Sequence, residues 1–518
     1  MLSNQKIINI NIKGISFFWN PFLIIIKKLF LLILFCSVKT TFASFSMNKN
    51  IQEAYTHILE LNFKEANILL DTEKENNSAN GLILLCENYI DFLTILISDQ
   101  EAYYKNFKPL KNKRIDIIAQ KNNSNSPYYL YCQAEIYLQW AIVHLKFKDY
   151  QYAIHAFLKA YSLLEENQKK YPQFILNKKS LSFLDVLLSA VPSNYQWILN
   201  VTGFSRDVQQ STNFLNMLLN DTSASLYNVE LICLTSFIQI NILNDRIAMQ
   251  QSLNYIGERY RDNLLLNYTA ARLAHKLGLN DYVVEVLENR PNNSSLVKFY
   301  YLDYLQAMSY LYSLDFKKAK QKFEYFLANF KGVNYIKSAN HKLAWIAFLQ
   351  DDMEMKKVYF SRVINDGAAL IDQDKVSLKN AKRNHISNII LLRSRLLYDG
   401  GYYSLAFSEI NQIELSLLKS TINQIEYWYR LAQISLHLKK STDTVISYYQ
   451  KACSLGNESA TYYIPMSLLQ IALLYEKEED YNNAMIYLKK CLEMSGFDYE
   501  KSIHMKANTV LSRLISQS

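Results

Sequence analysis

The stretch from Tyr463 to Leu492, YIPMSLLQIALLYEKEEDYNNAMIYLKKCL, constrains the fold more than any other part of the chain. Leu468, Ile471, Ala472 and Tyr475 fall at i, i+3, i+4 and i+7, so they share one helical face. Glu476 to Asp480 breaks that stripe, and Tyr481, Ala484, Leu488 and Cys491 form a second one. The small residues Ala472 and Ala484 let two antiparallel helices approach closely. One such hairpin cannot bury its apolar face alone, so the pattern predicts neighbours of the same kind.

The signature recurs upstream. Tyr427 to Cys453 carries Ala432, Leu436, Val445, Tyr449 and Ala452 at equivalent places, and Ile390 to Ile413 carries Ser394, Leu397, Ala406 and Ile410. The second-helix anchors Ala406, Val445 and Ala484 are 39 residues apart each time, from 484 − 445 and 445 − 406. Asp303 to Phe326 is a further copy with Ala307 and Ala319. Asn340 to Val363 is a degraded one, with Lys356 where a small anchor belongs. Asn267 to Leu287, Tyr137 to Ala160 and Ala54 to Leu70 complete eight units. Repetition of this kind predicts an all-α chain, an α-solenoid of helical hairpins. Eleven Gly and seven Pro are too few for a strand-and-turn architecture.

The first residues read differently. Lys27 and Lys28 precede an apolar run from Leu29 to Val38, followed by Lys39 to Ser44 with Ala43 at a small-residue exit. A basic patch, a short apolar core and a small-residue exit describe a secretory signal peptide over residues 1–43. The run is shorter than the roughly 20 residues that span a bilayer. An uncleaved anchor from Phe22 to Val38 is the alternative. No later apolar run is expected to reach spanning length. The leader holds five lysines and no acid, so the mature charge is 9 − 5 = +4. That near-neutrality argues against nucleic acid, whose binders concentrate basic charge. Cys86, Cys132, Cys233, Cys453 and Cys491 follow the leader without CxxC spacing and read as buried thiols.

On these units the chain resembles the tetratricopeptide-repeat proteins, and among them a secreted bacterial type. The resemblance implies a right-handed superhelix whose concave face is lined by the first helix of each hairpin. It divides the chain into N-terminal helical repeats over 44–200, middle helical repeats over 201–375 and C-terminal tetratricopeptide repeats over 376–518. The segment from Leu187 to Phe204, with Val191-Pro192, Trp197-Ile198-Leu199 and Gly203-Phe204, is also distantly similar to eukaryotic repeat proteins linked to lipid-associated inclusion bodies.

Projected onto the concave face, the recognition residues are Tyr268, Arg272, Tyr304, His341, Lys342, Trp345, Arg395 and Arg430, with Leu391, Ile434, Leu469 and Leu473 between them. Arginine and aromatic residues dominate binding hot spots, and each arginine can hold a carboxylate bidentately. The carboxylate clamp of the family, paired Lys, Asn and Arg positions on adjacent helices, is not intact here. No HExxH, P-loop, GxGxxG or GxSxG motif occurs, so no catalytic residue, cofactor or metal site is assigned. His144 and His155 share a hairpin but lack a third ligand. The reading is a non-enzymatic exported scaffold in the periplasm or at the outer membrane, associated with the cell envelope, which binds a protein or peptide. The alternatives are a glycan-binding repeat protein at the outer membrane and an enzyme built on a linker at 98–127.

Overall fold

The computed structural model describes residues 45–120, 125–189, 207–384, 386, 388–456 and 461–517. The leader, the segment from Pro192 to Phe204 and His385 lie outside the described residues. Among the described residues there is no strand. The first helices in chain order are α1 (Lys49–Leu59), α2 (Phe63–Asn77), α3 (Leu82–Ser98), α4 (Glu101–Gln120), α5 (Pro127–Lys146), α6 (Tyr150–Lys170), α7 (Ile175–Ser189) and α8 (Val208–Leu219). The middle of the chain forms α9 (Asn228–Ile238), α10 (Arg246–Ile256), α11 (Leu264–Leu277), α12 (Asn280–Glu288), α13 (Tyr301–Tyr312), α14 (Phe316–Asn329), α15 (Ile336–Leu349), α16 (Met353–Asn365) and α17 (Asp372–Lys382). The last helices are α18 (Ile389–Asp399), α19 (Tyr403–Ile410), α20 (Thr421–His437), α21 (Thr442–Ser454), α22 (Tyr463–Lys477), α23 (Tyr481–Glu493) and α24 (Glu500–Gln517).

Helices pack mainly on their immediate neighbours in sequence and on the next helix but one. The protein is an all-α solenoid of tetratricopeptide-type helical hairpins. All eight sequence units are hairpins: α1/α2, α5/α6, α11/α12, α13/α14, α15/α16, α18/α19, α20/α21 and α22/α23. The stretch 98–127, expected as a linker, instead holds the 20-residue helix α4. Ala153, Ala406 and Ala484 are each 0% exposed at the helix crossings.

The turn of every hairpin is built the same way. One residue stands in the left-handed region, at φ between 54° and 84°: Leu61, Lys148, Gly278, Leu314, Asp351, Gly401, Lys439 and Glu479. The next N–H then donates back into the first helix, as Asn62 N to His57 O (2.9 Å), Asp149 N to His144 O (2.8 Å) and Asp480 N to Tyr475 O (2.9 Å). This six-to-one bond is the Schellman closure of a helix C-terminus. At six of the eight turns a side-chain-bearing residue takes this conformation, at a cost of roughly 1–2 kcal/mol each. The recovered carbonyl bonds offset that cost.

Gly401 is different, because its position requires the absence of a side chain. The α18/α19 turn sits directly on the α11/α12 turn, and a Cβ on Gly401 would overlap the Gly278 carbonyl. Asn280 Nδ2 donates to Tyr402 Oη at 3.0 Å, and Tyr402 also bonds Asp281. Through this contact α18 packs on α13, stepping past α15–α17.

Two loops fold back across the stack. Val297 N donates to Leu61 O at 3.0 Å and Val333 N to Asp99 O at 3.0 Å. Asn334 donates twice to the Asp99 carboxylate, from N (3.0 Å) and Nδ2 (3.1 Å), across 235 residues of sequence. The amino-terminal hairpins are thereby fastened to the middle of the solenoid.

Beneath them lies a buried ionic network. Lys179 Nζ is 2.7 Å from Glu230 and 3.9 Å from Glu135. Tyr55 and Tyr89 hydroxyls donate to Glu230 at 2.8 Å each, and Ser180 donates to Glu135. Burial pushes both carboxyls up. Lys179 and the hydroxyls outweigh it at Glu230, which is lowered, but not at Glu135, which is raised. Glu230 belongs to a continuous helical run of 22 residues, Thr222–Leu243, in which an 18-residue window has a mean hydropathy of 1.4, enough to cross a membrane by length and composition. This corrects the expectation that no such run follows the leader. Its carboxylate at Glu230 is held by Lys179 among packed helices. The five cysteines among the described residues are free thiols, Cys86, Cys132 and Cys491 buried.

Lys179→Met would leave two buried carboxylates without their cation. It is expected to destabilise the fold by about 3–5 kcal/mol, read as a lowered urea midpoint with the helical signal retained in water.

Candidate functional site

The first helices of successive hairpins share one face, and the eight recognition residues predicted from sequence lie on five of them. Tyr268 and Arg272 are on α11, Tyr304 on α13, His341, Lys342 and Trp345 on α15, Arg395 on α18 and Arg430 on α20. The structure gathers them into two clusters rather than one continuous stripe.

The first cluster surrounds Arg272. Its Nη1 donates to Tyr301 Oη at 3.3 Å. Tyr268 meets Phe299 with ring centroids 5.2 Å apart, and Tyr335 meets Tyr301 at 4.6 Å and Tyr304 at 5.0 Å. Tyr335 is at φ 68°, an unusual conformation for a side-chain-bearing residue. It is held there by Asp374 of α17, whose carboxylate accepts from Tyr335 N (2.7 Å) and Ser338 N (2.8 Å) and so caps α15. Burial pushes the Asp374 carboxyl up to about 6 despite those bonds. One turn along α11, burial and then Arg272 and Lys276 hold His275 down to about 4, so it is neutral at pH 7.

The second cluster is built on Trp345. Lys342 Nζ stands 3.3 Å from the ring centroid, and the Arg395 guanidinium 5.0 Å from it. Arg395 reaches Asp399 at 3.6 Å. Trp345 Nε1 donates to His341 Nε2 at 3.1 Å. Arg430 is paired with Glu426 at 2.8 Å and lies against Tyr463. Burial, then Arg395, drives the Lys342 amine well below the ordinary lysine range. Among the described residues Lys342 makes no ion pair with a carboxylate.

Exposure separates the eight residues. Tyr304, His341, Trp345 and Arg430 are buried, with 5%, 2%, 4% and 3% exposed. They pack between helices and support the face. Tyr268, Arg272, Lys342 and Arg395 keep accessible surface. Sequence reasoning did not single out Phe299, Tyr301, Tyr335 or Asp399. The aromatic run Phe299-Tyr300-Tyr301 is the one signal that could have raised two of these positions. The hairpin holding His144 and His155 is no metal site: His144 is buried against Tyr104 (2.9 Å), while His155 is exposed. Among the described residues no group of three His, Cys, Asp or Glu is arranged to hold a metal.

No family model matches the chain, and no curated protein matches it. It is similar to several solved structures. Yeast Tom70 is 10% identical with a TM-score of 0.22, over 82% of this chain and 96% of that one. The Cut9–Hcn1 hetero-tetramer of the APC/C is 10% identical with a TM-score of 0.25, over 89% and 95%. Naa15/Naa10 bound to HypK is 12% identical with a TM-score of 0.23, over 88% and 64%. At these values nothing about this chain's ligand follows from them.

The depressed Lys342 amine sets a sign for pH dependence. The unfolded chain binds a proton there that the folded chain resists, so this residue subtracts stability below the ordinary lysine value of about 10.4. Lys342→Met is expected to raise the urea midpoint at pH 7. That gain should shrink as pH rises from the folded-state value towards about 10.4, above which wild-type Lys342 is uncharged in both states.

Proposed function

We propose that the chain is a non-enzymatic scaffold, exported through its leader, that captures a protein or peptide segment bearing acidic side chains on the face of its first helices. The observation that carries this reading is the charge balance at Trp345. Lys342 and Arg395 are pressed against one ring, and among the described residues the carboxylate paired with them, Asp399, is 3.6 Å from Arg395. Holding cations in a half-buried position costs free energy that a carboxylate recovers. A partner's acidic side chain laid over Trp345 supplies the missing charge. A nearby carboxylate also favours the charged form of the Lys342 amine.

The surrounding rings are fixed before any partner arrives. Trp345 is locked by His341, and Arg430 is already neutralised by Glu426, so neither needs to be ordered on binding. A preformed surface lowers the entropic cost of association. The reading as a scaffold also agrees with the sequence, which offers no catalytic motif.

Two outcomes test the proposal. Mature protein used as bait on envelope fractions should retain a partner that the double variant Lys342→Ala/Arg395→Gln loses. That retention should weaken as ionic strength rises. Arg430 is unsuitable for this test because its replacement strands Glu426 in the interior. Amino-terminal sequencing of the mature chain is expected to begin at Ser44; an intact Met1 would refute cleavage of the leader.

A further inference from the structure

A cavity of about 130 Å³ lies where the amino-terminal hairpins meet the middle of the solenoid. Its walls come from the end of α3 (Leu96, Asp99), the end of α5 (Lys146), α11 (Tyr268, Arg272) and the segments carrying Tyr301 and Tyr335. On the same measure one water needs roughly 10–15 Å³, so the space admits a small solute.

The charges lining it do not balance. Asp99 is 3% exposed and fully engaged, with Lys146 Nζ at 2.6 Å and two donors from Asn334. That pair is neutral. Arg272 adds a positive charge whose one hydrogen bond among the described residues goes to the Tyr301 hydroxyl. Comparable arginines elsewhere have carboxylates: Arg114 reaches Asp91 at 2.6 Å, Arg290 reaches Asp303 at 2.7 Å and Arg430 reaches Glu426 at 2.8 Å. A guanidinium carries five N–H donors, so Arg272 has several to spare. Burial holds the Tyr268 and Tyr335 phenols above their ordinary range, which keeps them protonated and able to donate.

We propose that this cavity is a binding site for one small organic oxyanion, a carboxylate or phosphate monoester with a short apolar or aromatic body. The oxyanion sits on Arg272 and receives hydrogen bonds from the tyrosine hydroxyls. The body lies against Leu96 and the tyrosine rings. The site is separate from the Trp345 cluster and does not rest on the partner reading. Its walls belong to two parts of the chain that Asp99 and Asn334 hold together, so an occupant also braces that junction.

Full-length mature protein in an anion-poor zwitterionic buffer would be titrated with benzoate, phenyl phosphate and inorganic phosphate, by calorimetry and thermal melting. Saturable one-to-one binding of at least one probe, with a dose-dependent rise in melting temperature, is expected. Arg272→Gln should abolish it, Tyr335→Phe should weaken it and Arg395→Gln should leave it intact. In the absence of probe Arg272→Gln should melt no lower than the wild type, since among the described residues no carboxylate pairs with that charge. An acetylated acidic hexapeptide added in competition distinguishes the source of the oxyanion. Displacement of the probe assigns it to a peptide chain and independent binding to a free solute, and either supports the site. Absence of saturable binding by all probes, equal binding to Arg272→Gln, or a clear loss of melting temperature in that variant without probe would overturn the proposal.

Discussion

The close approach of two helices across an alanine is the contact on which the whole molecule depends. Ala153, Ala406 and Ala484 have no exposed surface, and each faces the first helix of its hairpin. A larger side chain there would push the helices apart, at a typical cost of about 1–3 kcal/mol. It would also disturb the Schellman turn that joins them. Once the pair is closed, the apolar stripe of one hairpin has nowhere to go but onto the next, and the solenoid grows by repetition.

What the sequence made legible is what repeats. All eight hairpins could be placed because periodicity and the small anchors report helix faces directly. The turns were harder, since six of the eight left-handed residues are not glycine. Their conformation is imposed by carbonyls needing donors rather than advertised by residue type. Long-range polar contacts left no trace at all. Lys179 and Glu230 are 51 residues apart and Asp99 and Asn334 are 235 apart, with no pattern linking either pair. The same limit applies to the candidate site. Periodicity put the eight candidate residues on the first helices, but it could not tell Trp345, sealed by its neighbours, from Lys342, left above it. Nor could it find Tyr335, whose ring is aimed by a strained backbone that Asp374 supports.

Charge distribution sets the character of the first-helix face. Where the fold needs a cation for its own structure it supplies a carboxylate, as at Arg114, Arg290 and Arg430. At Arg272 and Lys342 it does not. The depressed pKa values of Lys342, His275 and Lys276 all express that local excess, on top of burial. The surface formed by the first helices thus keeps a local positive field.

The link between Asp99 and Asn334 makes this solenoid less one-dimensional than its repeats imply. Asn334 follows Asp99 by 235 residues, which a ribosome working at about 5–20 residues per second takes on the order of 10–50 s to make. Over that interval the amino-terminal hairpins exist without the segment that completes them. A newly made chain therefore spends tens of seconds with an open seam, and whatever attends it during biogenesis meets that seam first.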